Sequence, residues 1–294
     1  MGKQRFISFL ITAHQPIYKE DQIIYKYRMK KSPTPPKFNS KNPNNQRSNK
    51  HGQKNASLDD DSIIYGLHAV IAALQNPVRR CKKLTVTKNA LNEIQQQAEI
   101  PLNLEVQEAS PDQINKKLKP GTVHQGALLN TAPLPEVYLE TITATGKPIV
   151  VLDQVTDPRN IGAIIRAATV FGAGGLVMTR HNSPELGGTL AKTASGALEK
   201  MPLVRVTNLA RCLESLSEAE YLTCGLDEEG AQWLGDIPRD QPIALVMGAE
   251  GKGLRRLTKE NCAQLVRLTA SDASSFATLN VATAAAVALY EIIR

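Results

Sequence analysis

The sequence predicts an α/β protein with three parts: a C-terminal part on a mainly parallel sheet, a smaller α/β unit before it, and a basic N-terminal arm. Three observations carry this. From residue 148 onward, short apolar runs such as PIVVLDQV and PIALVMG alternate with stretches of helical periodicity. That is the pattern of parallel strands covered on both faces by crossover helices. Between residues 62 and 132 the alternation recurs on a smaller scale, with the alternating run LNLEVQEA marking a strand. Residues 1–56 lack hydrophobic periodicity and carry twelve Lys or Arg against two acids, Glu20 and Asp21.

The chain has 294 residues and a formal charge of +7. Residues 57–294 hold 23 basic against 26 acidic side chains, so the basic balance belongs to the arm. Its core, KKSPTPPKFNSKNPNNQRSNKHGQKN, is rich in Pro, Asn, Lys and Ser, a composition that predicts disorder. It fits either a solvated linker or an arm that adds nonspecific attraction to nucleic acid. Upstream, FISFLITA is too short to span a bilayer, and no small-residue cleavage site follows it closely. Met29, which opens MKKSPTPP, is a second candidate start. Cys81, Cys212, Cys224 and Cys262 show no close pair spacing, and the five histidines are scattered. The expectation is therefore a reduced, cytoplasmic protein with no metal and no membrane anchor.

In chain order, IIYGLHAVIAALQNP reads as a helix stopped at Asn76-Pro77, and KKLTVTK as a strand. NALNEIQQQAEI is a helix and LNLEVQEA a strand. SPDQINKKL is a helix with Ser110 as N-cap and Pro111 at its first position, and GALLNTAP is a strand. Residues 133–147 read as a linker. Residues 148–294 then alternate: strand PIVVLDQV, helix RNIGAIIRAATVFG, strand GLVMT, helix LAKTASGALEK, strand PLVRV, helix LARCLESLSE, and strand YLTCGLD. Strands PIALVMG and QLVRLT follow, and the Ala-rich helix TLNVATAAAVALYEIIR closes the chain.

Three polar, small-residue loops follow strands directly, where ligands sit in parallel sheets. DPRNIGAIIR places Asn160 and Arg166 around a helix entrance; a guanidinium on an otherwise apolar helix points to a phosphate or carboxylate partner, a salt-bridging acid being the plainer alternative. MGAEGKGL sets Glu250 in a tight glycine turn. It lacks the spacing of a phosphate-binding P-loop and of a dinucleotide fingerprint. TLNV places Thr278 and Asn280 at the mouth of the last helix, with Thr278 as its N-cap in the purely structural reading.

Together the three stretches resemble, in order, the N-x5-R, G-x-E-G and [ST]-L-N-V motifs of the SpoU-type methyltransferases of the SPOUT superfamily. YGLHAVIAAL and HQG (124–126) in the preceding unit are similar to the RNA-substrate domain of the rRNA guanosine-2′-O-methyltransferase branch. The resemblance spans residues 62–294 and implies an RNA substrate-binding domain (62–132) and a methyltransferase domain (148–294), on either side of the linker (133–147); the arm (1–56) stays outside it, disordered by composition. The resemblance implies a deep C-terminal trefoil knot, a rare exception to unknotted topology, and S-adenosylmethionine bound in it. It also implies a homodimer and large-subunit rRNA as substrate. By position, Gly248, Leu268 and Leu279 line the cofactor site, with Asn160, Arg166, Glu250, Thr278 and Asn280 as the catalytic group and Glu250 buried near the catalytic face. Thr278 stands where the family usually has Ser. A noncatalytic RNA-binding assembly factor and a tRNA methyltransferase stay open as alternatives.

Overall fold

The structure, a computed structural model, describes residues 63–268 and 279–294. The basic arm and Thr278 lie outside the described residues.

The first unit comprises β1 (Ile63–Tyr65), α1 (Leu67–Gln75), β2 (Cys81–Val86), α2 (Lys88–Gln97), β3 (Glu105–Glu108), α3 (Pro111–Asn115) and β4 (Ala127–Thr131). Its sheet runs β1-β4-β2-β3, with β4 antiparallel to both neighbours and β2 parallel to β3. The expected first helix begins late. Ile63, Ile64 and Tyr65 pair instead with Asn130, Leu129 and Leu128, and Gly66 turns the corner at φ 91°. These three apolar residues suit a buried strand as well as a helix, and pairing with β4 decided. Ser110 caps α3 in a reciprocal capping box with Gln113, with Pro111 in the first turn.

The segment read as a linker carries a short helix, α4 (Leu139–Thr143). Ile142 is fully buried and packs so closely under Gly175 that a Cβ there would meet it at 2.5 Å.

The second unit follows as β5 (Ile149–Asp153), α5 (Pro158–Val170), β6 (Gly175–Thr179), α6 (Gly188–Ala194), β7 (Leu203–Val206), α7 (Leu209–Glu218) and β8 (Leu222–Leu226). It closes with β9 (Gln232–Trp233), β10 (Ile243–Gly248), α8 (Arg256–Glu260), β11 (Gln264–Arg267) and α9 (Val281–Ile293). The seven strands run β7-β6-β5-β10-β8-β11-β9, and every pairing is parallel. Alternate side chains serve opposite faces. Val150, Leu152, Leu245 and Met247 pack with Ile161, Ile164 and Ile165 of α5 and Ala285, Ala288 and Leu289 of α9. Ile149, Val151, Ala244 and Val246 pack with Leu209, Leu213 and Leu216 of α7. Each fully buried Ile or Leu contributes about 1.5–3 kcal/mol. Gly162 lets α5 approach α6: a Cβ there would lie 2.9 Å from the Leu190 carbonyl oxygen.

The helix expected over LAKTASGALEK breaks after Ala194. Ser195 (φ 51°) and Gly196 (φ 88°) turn left-handed before a short 3-10 turn, Ala197–Glu199. The break lets Gly196 meet α1, since a Cβ would come 2.8 Å from the Ala72 Cβ. The small sheet docks at this same place. Arg79 binds Glu199 through Nη2 (2.6 Å) and Nε, both side chains almost fully buried. Asn76 Nδ2 donates to Glu199 Oε2 at 2.8 Å, and Tyr65 Oη lies 3.0 Å from Thr189 Oγ1.

Candidate active site

In the strand order, the chain leaves β5 toward β6 on one side, while β10 flanks β5 on the other. Loops after such neighbours diverge and leave a crevice at the carboxyl ends of the strands. Three of the expected site residues meet there.

Asn160 stands in the first turn of α5. Asp157 caps that helix, accepting from the Arg159 amide at 2.9 Å, and Pro158 takes the first position. Glu250 stands in the turn after β10. There the chain doubles back, Ala249 bridging to Gly253, with the Gly253 amide 2.9 Å from the Ala249 carbonyl. Gly251 and Gly253 hold φ of 74° and 62°, conformations that favour glycine. Gly248 is dictated by proximity: a Cβ there would lie 2.2 Å from the Gly253 carbonyl carbon. Asn280 caps α9, its Oδ1 accepting from the Ala282 amide at 2.9 Å. That is the capping role the sequence had offered to Thr278.

The three polar side chains form one network across 120 residues of sequence. Glu250 Oε1 accepts from Asn160 Nδ2 (3.2 Å), from the Val281 amide (3.3 Å) and from Asn280 Nδ2 at short range. Asn280 Nδ2 also reaches Asn160 Oδ1 at 3.2 Å. Because Asn280 Oδ1 is committed to the helix cap, its amide orientation is set, and Nδ2 faces the acid. Glu250 Oε2 receives no hydrogen bond from the described residues. Contrary to expectation, Glu250 is exposed, because the turn carrying it projects past the end of β10.

Four further expected site residues lie among the described residues. Gly248 ends β10, and Leu268 follows β11, half-buried against the core. Leu279 adjoins Asn280 and is 53% exposed. Arg166 lies six residues beyond Asn160, so at 100° per residue it points elsewhere. It is exposed, with no hydrogen bond or ion pair among the described residues.

Sequence reasoning missed a supporting pair. Asp153, the fully buried last residue of β5, receives the Arg255 amide (2.9 Å) and Arg255 Nε (2.7 Å). This ties the chain just beyond the Glu250 turn to the strand that leads to Asn160. A signal was present: an acid closing the apolar run PIVVLD has to find a partner once buried. Burial pushes the thiols of Cys224 and Cys262 up to about 12.

Known proteins resemble this chain in sequence and in fold. Residues 147–290 match the SpoU rRNA Methylase family, and residues 63–137 match the RNA 2′-O ribose methyltransferase substrate-binding domain. The 23S rRNA (guanosine-2′-O-)-methyltransferase RlmB of Photorhabdus laumondii is 36% identical over 251 residues, covering 79% of this chain and 97% of the relative. Its namesake in Pseudomonas aeruginosa is 37% identical over 238 residues, covering 79% and 95%. The solved structure of the SpoU methyltransferase AviRb from Streptomyces viridochromogenes, in complex with AdoMet, superposes with a TM-score of 0.67 at 24% identity, over 79% of this chain and 88% of that one. An AdoMet-bound rRNA methyltransferase from Sinorhizobium meliloti gives 0.62 at 20% identity, over 79% and 86%. With a curated relative more than one-third identical along nearly its whole length, and family domains matching both units, this chain belongs to the SpoU rRNA methylase family.

Proposed function

We propose that this protein transfers a methyl group from S-adenosylmethionine to the ribose 2′-hydroxyl of a guanosine in 23S rRNA, working as a cytoplasmic homodimer. The observation that carries the reading is the Asn160–Glu250–Asn280 network at the β5/β10 crevice, in a chain whose curated relatives bear that activity in their names.

The residues around the network fit this cofactor. The turn from Gly248 to Gly253 exposes main chain without the spacing of a phosphate cradle, and Leu279, next to Asn280, offers apolar surface; Leu268 belongs to the cofactor site in this reading. This suits an adenosyl group that carries no phosphate. When bound, the cofactor supplies a methyl group on a positively charged sulfur. Threading of the C-terminal segment as a trefoil knot belongs to the same reading, and the doubled-back turn after β10 is consistent with it.

The chain's own contribution is positioning. Glu250 holds the two asparagines and the start of α9 in one geometry, so the hydroxyl meets a fixed polar wall rather than mobile loops. Arg166 binds an RNA phosphate and stabilises the alkoxide as it forms. A guanidinium is a poor base in water, so the proton leaves to phosphate or solvent.

The homodimer of this reading uses the face of α5 that carries Arg166. The outer faces of α5 and α9 lie side by side, joined by an edge-on contact of Phe171 and Tyr290 at 6.3 Å. Val170 (73% exposed), Val287 (44%) and Tyr290 (55%) form an apolar strip there. Arg166, four residues before Val170, lies on the same face of α5, which a second copy would cover. Arg166→Ala should abolish radiolabelled methyl transfer to 23S rRNA while calorimetry shows nearly unchanged cofactor affinity. Retained turnover would remove Arg166 from the mechanism, and a monomer by sedimentation would remove the dimer.

A further inference from the structure

A second feature at the carboxyl ends of the strands lies outside the triad. It is an open cleft of about 690 Å³ over β5, β6 and β7, closed on one side by α8. Its polar walls include Gln154, His181, Asn182, Asn208, Arg255 and Arg256, and no carboxylate lines it. Both arginines are braced by acids that stand outside the lining: Arg255 through Nε by Asp153, Arg256 through Nη1 by Glu260 at 2.6 Å. Arg255 is nevertheless half exposed and Arg256 79% exposed. Their remaining N–H groups stay available in a fixed fork, the geometry that suits phosphate oxygens.

Two further observations mark the cleft as a site. Gln154 and Asn182 hold φ of 60° and 65°, a conformation that side chains rarely adopt and that concentrates where ligands bind. Leu257, 57% exposed, adds an apolar surface to the same wall. The size falls within the range of small-ligand pockets, a few hundred to about 1,000 Å³, enough for a nucleotide unit.

We infer that this cleft binds a nucleotide of the RNA strand next to the one being methylated. The arginines hold its phosphate, while Asn182, Asn208 and His181 meet its sugar or base edges. The inference rests on the RNA methylation proposed above. The Asp153–Arg255 pair links the two sites: its Asp153 end leads along the chain to Asn160, and its Arg255 end lies five residues past Glu250. An RNA chain delivering its ribose to the triad therefore has a charged groove beside it. Single-stranded RNA is held in this way, by phosphate contacts plus base and 2′-hydroxyl contacts.

The test uses the full chain and equilibrium binding of a single-stranded 23S rRNA fragment across a salt series, with methyl transfer measured in parallel. Arg256→Gln combined with His181→Ala should weaken RNA binding about tenfold and lower the salt slope by about one unit. Cofactor affinity should stay at the wild-type value. Unchanged RNA affinity and slope would overturn the inference. So would a pair of variants that keep wild-type RNA affinity but lose a thermal shift induced by inorganic phosphate, since the cleft would then be a small-anion site. A wild-type chain that binds the RNA without methylating it would count against the proposed activity alone, and the cleft variants would still report on binding.

Discussion

Arg255 grips Asp153 twice, donating its backbone amide to Oδ2 at 2.9 Å and its Nε to Oδ1 at 2.7 Å, across 102 residues of sequence. The pair fastens the end of the β10 turn to the end of β5, and so sets the distance between Glu250 and Asn160. Arg255→Ala leaves one oxygen of a fully buried carboxyl without its side-chain donor. We expect a loss of about 1–3 kcal/mol in chemical denaturation and a fall in methyl transfer well beyond what the lost stability explains. Arg255→Lys should recover stability better than activity, because an ammonium cannot reproduce the Nε geometry. Full activity in Arg255→Ala would show that the turn holds its shape without the pair.

The buried Arg79–Glu199 pair makes a second prediction. Both side chains are at most 3% exposed, and Asn76 also donates to the acid. Glu199→Ala strands a buried guanidinium and should cost about 3–5 kcal/mol, whereas Arg79→Met with Glu199→Leu should cost much less. Equal losses in the single and double variants, read from urea midpoints, would argue against a desolvated pair.

A third prediction concerns pH. His124 accepts from the Gly126 amide through Nδ1 and lies 3.0 Å from Asn115 Oδ1 through Nε2. Burial, with nearby Lys192 adding to it, lowers its pKa below the usual 6.5. The folded state therefore binds less proton here than the unfolded chain. Its stabilising contribution is full above about 6.5 and is lost as pH falls through the lowered folded value. Between roughly pH 7 and pH 5 the wild type should lose more stability than His124→Gln. Parallel pH profiles would refute this.

The fourth concerns the basic arm. Residues 57–294 carry slightly more acid than base, while residues 1–56 carry twelve basic side chains against two acids. A chain starting at Ser57 should keep its fold and cofactor binding but lose RNA affinity at low salt. Each phosphate no longer neutralised takes about 0.7–0.9 off the salt slope. Identical slopes with and without the arm would shift all long-range attraction to the folded units, the cleft lined by Arg255 and Arg256 among them.

By itself the sequence determined the alternation of strands and helices after residue 148, the N-cap at Ser110 and the glycine- and asparagine-bearing loops around Asn160 and Glu250. These are local matters: side-chain period, cap chemistry and backbone freedom act over a few residues. The strand at Ile63–Tyr65, the break after Ala194 and the helix at Leu139–Thr143 were decided by partners far along the chain: β4, α1 and the floor of β6. The site divides in the same way. Asn160, Glu250 and Asn280 were legible as residues, but their meeting on one carboxyl oxygen depends on β5 and β10 being neighbours and on α9 returning to them. The exposure of Glu250, the separation of Arg166 from the triad, and the Asp153–Arg255 brace were set by tertiary structure alone, because strand order and the angle of a returning loop leave no periodic trace in the sequence.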